Sequence, residues 1–193
     1  MDPTAPDLGR ATEGAAKALR VKAHIFQEEW GEAQPLAQDI ISSGRYSLDP
    51  DYSRVFDVRG EFGPGSIFEI NHVDLTNALE GTVGVVYQNS RATWGYGFNC
   101  PTQALYDAFA PDDPRRDATI IESGETITGP QGNTETVDVV GACAANGPDG
   151  YLNEKMWLPA ARQPSGPRKG PTNRRVIRYA HVLLWHAEAA NEN

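Results

Sequence analysis

Two amphipathic helical stretches joined by a very short break constrain this chain most. From Thr12 the apolar residues Ala16, Leu19, Ala23 and Phe26 recur at helical spacing, with Trp30 one turn on. Thr12 is placed to cap the first turn, because its hydroxyl can accept from an orphan amide there. Gly31 breaks the pattern, and Ala33, Leu36, Ala37, Ile40 and Ile41 then form a second stripe. Pro35 is expected in the first turn of that second helix, where a missing N–H costs little. Gly44 stands where a left-handed C-terminal cap is wanted. So short a link makes the pair an antiparallel hairpin. Small residues on the facing stripes (Ala16, Ala23, Ala33, Ala37) let the helices approach closely, as in a tetratricopeptide-type unit. One such pair cannot cover its own apolar face and needs neighbours.

The rest of the chain is different. Its 19 glycines and 14 prolines are more than helices tolerate, so long irregular segments separate the ordered elements. The first eight residues read as a linker or tail, and Tyr46–Phe56 as a loop with short helical turns. Ile67–Ile70 reads as a short strand and Val83–Tyr87 as another extended piece. Thr102 is placed to cap a short helix over Gln103–Phe109, which Asp112-Asp113-Pro114 then stops. Arg116–Ile121 reads as extended, and residues 122–150 are polar, Gly-rich and without pattern. A strong helical signal returns over Val176–Asn191, with Tyr179, Val182, Leu183, His186, Ala187 and Ala190 on one stripe and Ala180 and Leu184 widening it. The fold class is therefore mainly α: a tetratricopeptide-like hairpin over residues 9–46, a loop-rich insert with short strands over 47–175, and a helix of an incomplete hairpin over 176–193. So apolar a helix needs covering, and the chain is expected to be truncated and poorly stable alone.

A formal net charge of −9 repels a phosphate backbone, which argues against a nucleic-acid partner and leaves neutral ligands open. The basic stretch Arg168-Lys169 with Arg174, Arg175 and Arg178 is a local exception, read as a solvated loop and helix start. No apolar run is long enough to span a membrane, and no signal peptide is visible at the N-terminus. Cys100 and Cys143 can be free thiols or one disulfide; two cysteines do not decide the compartment.

Residues able to carry chemistry concentrate in one aromatic, glycine-punctuated stretch. Tyr87, Trp94, Tyr96 and Phe98 lie among Gly95, Gly97, Asn89 and Asn99. Sugar rings present apolar C–H faces that an exposed aromatic ring covers, and Asn side chains both donate to and accept from hydroxyls. The same rings can instead plug a core beneath the loop. Asn71, His72 and Asp74 follow the Ile67–Ile70 strand and either line the same cleft or form a polar strand exit. Glycoside hydrolysis needs two carboxylates set across the scissile bond. Glu69, Asp74, Asp112 and Asp113 are present, but nothing in the sequence pairs them. The histidines and cysteines lack metal-ligand spacing, and no phosphate loop, dinucleotide fingerprint or nucleophile elbow occurs. No catalytic residue, metal or cofactor is therefore expected.

Six segments in order carry a family resemblance. They are Gly9-Arg10-Ala11-Thr12 before an Ala-rich helix, Trp30–Ala33 through Ile40–Tyr46, and Ser66–Ile70. They continue with Pro101-Thr102, Leu105, Asp107 and Phe109 before Asp113–Arg116, then Gly150-Tyr151 to Lys155, then Arg178-Tyr179-Ala180 to Ala187–Asn191. Together they resemble the SusD/RagB family of glycan-capturing outer-membrane lipoproteins, whose members are considerably longer. The resemblance implies missing terminal parts, including a signal peptide and a lipid-bearing Cys, and places the protein at the cell surface. It implies non-catalytic capture of an oligosaccharide beside a SusC-like TonB-dependent transporter, with membrane contact only through the lipid anchor. It also implies glycan contacts in loops of this general part of the chain, which supports the candidate set read from the residues: Trp94, Tyr96, Phe98, Asn99 and Asn71. Two rival readings stand: a helical-repeat protein-interaction module, and a glycoside hydrolase.

Overall fold

The threonine cap expected at residue 12 is present in the computed structural model, which describes residues 8–73, 81–129, 132–143, 150–166 and 169–193, and Arg162 by its backbone alone. The tail before Leu8, Asp74 and Arg168 lie outside the described residues. The elements in chain order are α1 (Glu13–Phe26), α2 (Trp30–Ser42), β1 (Ser66–Ile70), α3 (Gly84–Gln88), α4 (Gln103–Asp107), α5 (Pro114–Asp117), β2 (Ile120–Glu122), β3 (Thr126–Thr128), β4 (Thr134–Thr136), β5 (Tyr151–Asn153), β6 (Arg174–Arg178) and α6 (Tyr179–Glu192). The fold is mainly helical with short strands. Two compact units form: Met1–Pro50 with Gly60–Asn71 and Arg174–Asn193, and Asp51–Arg59 with His72–Asn173.

In the first unit Thr12 Oγ1 accepts from Ala15 N at 3.2 Å, satisfying one orphan amide of α1. The buried face of α1 is Ala15, Ala18, Val21 and Ile25. The stripe expected inside is the outer one: Leu19 is 48% and Phe26 77% exposed. Ala18 with Ala33 and Ala37 of α2 lets the two backbones close on each other, while Ala16 and Ala23, the small residues expected at this contact, are exposed.

The turn between the helices lies at Gln27–Glu29, not at Gly31. Glu28 adopts φ 58°, and the amides of Glu28 and Glu29 donate to the carbonyls of Ile25 and His24 at 3.1 and 2.9 Å, a Schellman cap with a non-glycine residue at its left-handed position. Because α2 starts as early as Trp30, Pro35 falls inside the helix rather than in its first turn. The Gly31 carbonyl thereby loses its helical donor. Gly44, at φ 62°, ends α2 as expected.

Val176–Arg178, expected as helix, are strand. Arg174–Arg178 pair antiparallel with Ser66–Ile70, and the helix begins only at Tyr179. Two β-branched residues in a row take the extended form when a partner strand is available. Ile67 and Ile177 point into the helical core with Val182 and Ala189 of α6, whereas Ala187 and Ala190 are exposed. Glu69 is buried on β1, and its Oε1 lies 3.7 Å from Arg175 Nε.

The second unit is held by short pairings. β2 pairs with β5, and β3 with β4, with Thr126 and Thr136 hydroxyls 3.0 Å apart. The region read as patternless therefore contains a hairpin, and Val137, Val139 and Ala142 after it join Ile121, Leu152 and Trp157 in a core. Val83–Tyr87 is not extended: Gly84–Gln88 is the helix α3, whose Val85 and Val86 pack with Leu158 in a smaller core. Asp113 does more than stop a helix; it caps α5, accepting from Arg115 N, with Pro114 at the first helical position. Cys100 and Cys143 are joined as a disulfide, with Cα atoms 6.1 Å apart.

Candidate functional site

The last turn of α3 delivers Tyr87 and Gln88 to the surface of the second unit. The chain then turns at Asn89, whose side chain is buried: Nδ2 donates to the Leu158 carbonyl at 3.1 Å and Oδ1 accepts from Ser90 N at 2.8 Å. Asn89 therefore anchors the loop and does not face a ligand. The chain returns alongside α3, with Tyr96 N donating to Val86 O, Gly97 N to Asn89 O and Phe98 N to Tyr87 O, all at 2.8–2.9 Å. Gly95 is obligatory for this return, because a Cβ there would sit 2.3 Å from Asn89 O.

The fold-back gathers three rings. Tyr87, Tyr96 and Phe98 are 43%, 45% and 52% exposed. Their centroids lie 5.4 Å (Tyr87–Tyr96), 6.1 Å (Tyr87–Phe98) and 6.3 Å (Tyr96–Phe98) apart. Asn99 follows with φ 57°, a left-handed conformation that Asn tolerates, and Cys100 then ties the loop to Cys143. Beside the rings, Gln88 Oε1 accepts from Asn99 Nδ2 at 2.8 Å and from Asn153 Nδ2 at 2.7 Å.

Trp94 goes the other way. It packs against Val85, Val86 and Leu158, with Nε1 buried and without a hydrogen-bond partner among the described residues. Asn71 is exposed but belongs to the first unit, and His72 N donates to Asn173 Oδ1 at 2.9 Å. Of the residues singled out in the sequence, the structure brings Tyr87, Tyr96, Phe98 and Asn99 together. Gln88 and Asn153 were missed; a lone amide residue at a helix end carries no sequence signal.

Other aromatic groups are already engaged. Tyr106 stacks on Tyr151 with ring centroids 4.9 Å apart, and the Arg116 guanidinium lies 4.9 Å from the Tyr106 ring centroid. Its hydroxyl donates to Glu122, which raises its pKa. Tyr52 and Phe56 share the Lys155 ammonium.

The carboxylates differ in their surroundings, and Glu154 Oε2 is buried without a hydrogen-bond partner among the described residues. Glu69 faces Arg175. Asp113 takes hydrogen bonds from Arg115, which hold its pKa at about 2 and keep it ionised. Glu154 is pushed up to about 7, chiefly by burial and then by Glu125 and Asp117.

The Surface glycan-binding protein A of Bacteroides fluxus superimposes with a TM-score of 0.77 at 24% identity, over 97% of this chain and 41% of that one. The Surface glycan-binding protein A of Bacteroides thetaiotaomicron, solved in complex with laminarihexaose, gives 0.74 at 22% identity, over 96% and 44%. SusD-like protein P25 of Formosa agariphila is 26% identical over 96% of this chain, which spans 39% of that protein. The model of the SusD family matches residues 64–193, well over half of the sequence, and the chain belongs to that family.

Proposed function

We propose that this chain captures an oligosaccharide, without cleaving it, on the surface made by Tyr87, Tyr96 and Phe98. SusD-like proteins are carbohydrate-binding proteins rather than enzymes, and this chain is one of them. The observation that carries the assignment to this surface is the trio itself: three exposed rings, one on α3 and two on the loop returning beside it, fixed by backbone hydrogen bonds and a disulfide. Apolar ring faces left in water are costly unless something covers them, and a sugar C–H face does so without a charge. The whole protein would sit at the outer membrane as a surface lipoprotein and pass its ligand to a SusC-like TonB-dependent transporter. Family membership and the disulfide, a bond of oxidising compartments, support that placement.

Laminarihexaose is the first ligand to try, since a relative was solved with it. Calorimetry should show saturable binding that weakens about tenfold or more in Phe98→Ala and Tyr96→Ala, roughly the 1.4 kcal/mol of one lost stacking contact. Equal binding by wild type and both variants would remove the trio from the site. Failure of the wild type to bind any oligosaccharide of a broad panel would refute capture by this chain.

A second reading, a protein-interaction module, draws on one observation. Leu19, Lys22, Ala23 and Phe26 line an open cavity of about 420 Å³ on the outer face of α1.

A further inference from the structure

We infer that Gln88 is a specificity residue of this surface, holding one defined array of hydrogen-bonding groups toward two neighbouring hydroxyls of an uncharged sugar ring. The inference rests on the capture reading above and goes beyond it by naming what the polar edge recognises.

The array is oriented from the backbone outward. The amide N–H of Lys155 can only donate, and Asn153 Oδ1 accepts from it at 3.1 Å. That fixes Asn153 Nδ2 as the atom facing Gln88. The Gln88 atom receiving that N–H must then be its oxygen, and the same oxygen takes the second N–H from Asn99. Three side-chain amides, each able to flip when alone, are thus locked in one orientation by a single peptide N–H.

The free ends of this chain follow. Gln88 Nε2 keeps two N–H donors, and Asn99 Oδ1 keeps its acceptor positions, with no partner among the described residues. Gln88 is the residue after Tyr87 and Asn99 the residue after Phe98, so the array is carried by the same two chain segments as the rings. Donors beside an acceptor match two adjacent hydroxyls, each of which donates and accepts. No group in the array is charged, so a uronate or sulfated ring finds no counter-ion in it. The left-handed backbone at Asn99 and the disulfide after it hold one end of the array, and Asn153 is held by its bond to Lys155 N. Little rotamer freedom is left to lose on binding.

Gln88→Glu tests this directly, because a carboxylate still accepts from Asn99 and Asn153 but presents no N–H. Gln88→Leu removes both functions. Calorimetry against laminarihexaose, neutral β-1,4-linked gluco- and mannohexaose, and an acidic oligogalacturonate would be run on wild type, both Gln88 variants and Phe98→Ala, with thermal melts alongside. The expected result is binding of a neutral hexasaccharide by wild type, at least tenfold loss in Gln88→Glu with an unchanged melting temperature, and similar or greater loss in Gln88→Leu. Gln88→Glu binding within twofold of wild type while Phe98→Ala fails would overturn the role of Gln88 and leave capture standing. Wild type binding only the acidic oligomer would overturn the uncharged-ring assignment and again leave capture standing. Wild type binding none of the probes would overturn the inference together with the reading beneath it.

Discussion

Breaking the Cys100–Cys143 bond is the perturbation whose size can be worked most directly. The two residues are 43 apart in sequence, and the bond closes a long loop in a unit whose strands are three residues long. Opening a loop of that length returns roughly 13 cal/mol/K to the unfolded chain, or about 4 kcal/mol at 25 °C in the chain-entropy account. Cys143 sits in the core beside Trp157, so the loss should be read there. Urea titration of wild type, of wild type with a phosphine reductant, and of a Cys100→Ala/Cys143→Ala variant would follow the red shift of tryptophan emission. With a slope of about 1–2 kcal/mol/M for a unit of this size, the midpoint should fall by roughly 2 M or more. Loss of structure in the reduced chain without urea agrees with the same reasoning, because many units of this size hold little more than the bond supplies. A midpoint shift worth less than about 1 kcal/mol, in both the reduced protein and the variant, would refute it.

Two further outcomes are expected. Glu154 has a folded-state pKa near 7 against an ordinary 4.5, raised first by burial and then by Glu125 and Asp117, with Arg59 opposing. Between those values the unfolded chain is ionised while the folded one holds its proton, so stability falls as pH rises from about 5 to 8, by on the order of 3 kcal/mol at most. Melting temperatures of Glu154→Gln should be flatter across that window and higher than wild type at pH 8; parallel curves would contradict the assignment. Gly95→Ala places a methyl 2.3 Å from Asn89 O and 2.5 Å from its carbonyl carbon, both backbone atoms, so the returning segment must move. The variant should lose about 1–3 kcal/mol in a chemical melt and weaken oligosaccharide binding together, and an unchanged melt would refute the close approach of Gly95 to the Asn89 carbonyl.

Much of the helical part was legible because its signals are local. Thr12 and Thr102 cap as residues of their type do, and Gly44 takes the left-handed position its place demands. Legibility stopped where two answers were locally equal. α1 has apolar residues on both the Ala15–Ala18–Val21–Ile25 face and the Leu19–Ala23–Phe26 face, and only the closeness of α2 selects the smaller set. Val176 and Ile177 continue a helical pattern as well as they form a strand; the partner residues 66–70, over a hundred positions away, decide. At Glu28 the cap violates the glycine preference, so the turn could not be found by looking for glycine. The disulfide was open in the sequence because a spacing of 43 says nothing about proximity.

The same limit explains the candidate site. Trp94, Tyr96 and Phe98 alternate in sequence, and alternation alone would set all three on one face of an extended segment. The turn at Ser90–Gly95, closed by Gly95 N donating to Ser90 O at 2.9 Å, turns Trp94 inward before the return begins at Tyr96, and Gly97 then takes a left-handed φ of 66° between Tyr96 and Phe98. The largest ring thus fills the gap behind Val85, Val86 and Leu158, and the two smaller ones share the surface with Tyr87. A sugar gains little over water from each contact it makes, so a surface that captures one must be ordered before the ligand arrives. Here the order comes from Trp94 within, Asn89 beneath, the disulfide at one end and the Lys155 amide behind the carboxamides. The residues that resembled a site in sequence are thus divided between those on the proposed capture surface and those that hold the others in place.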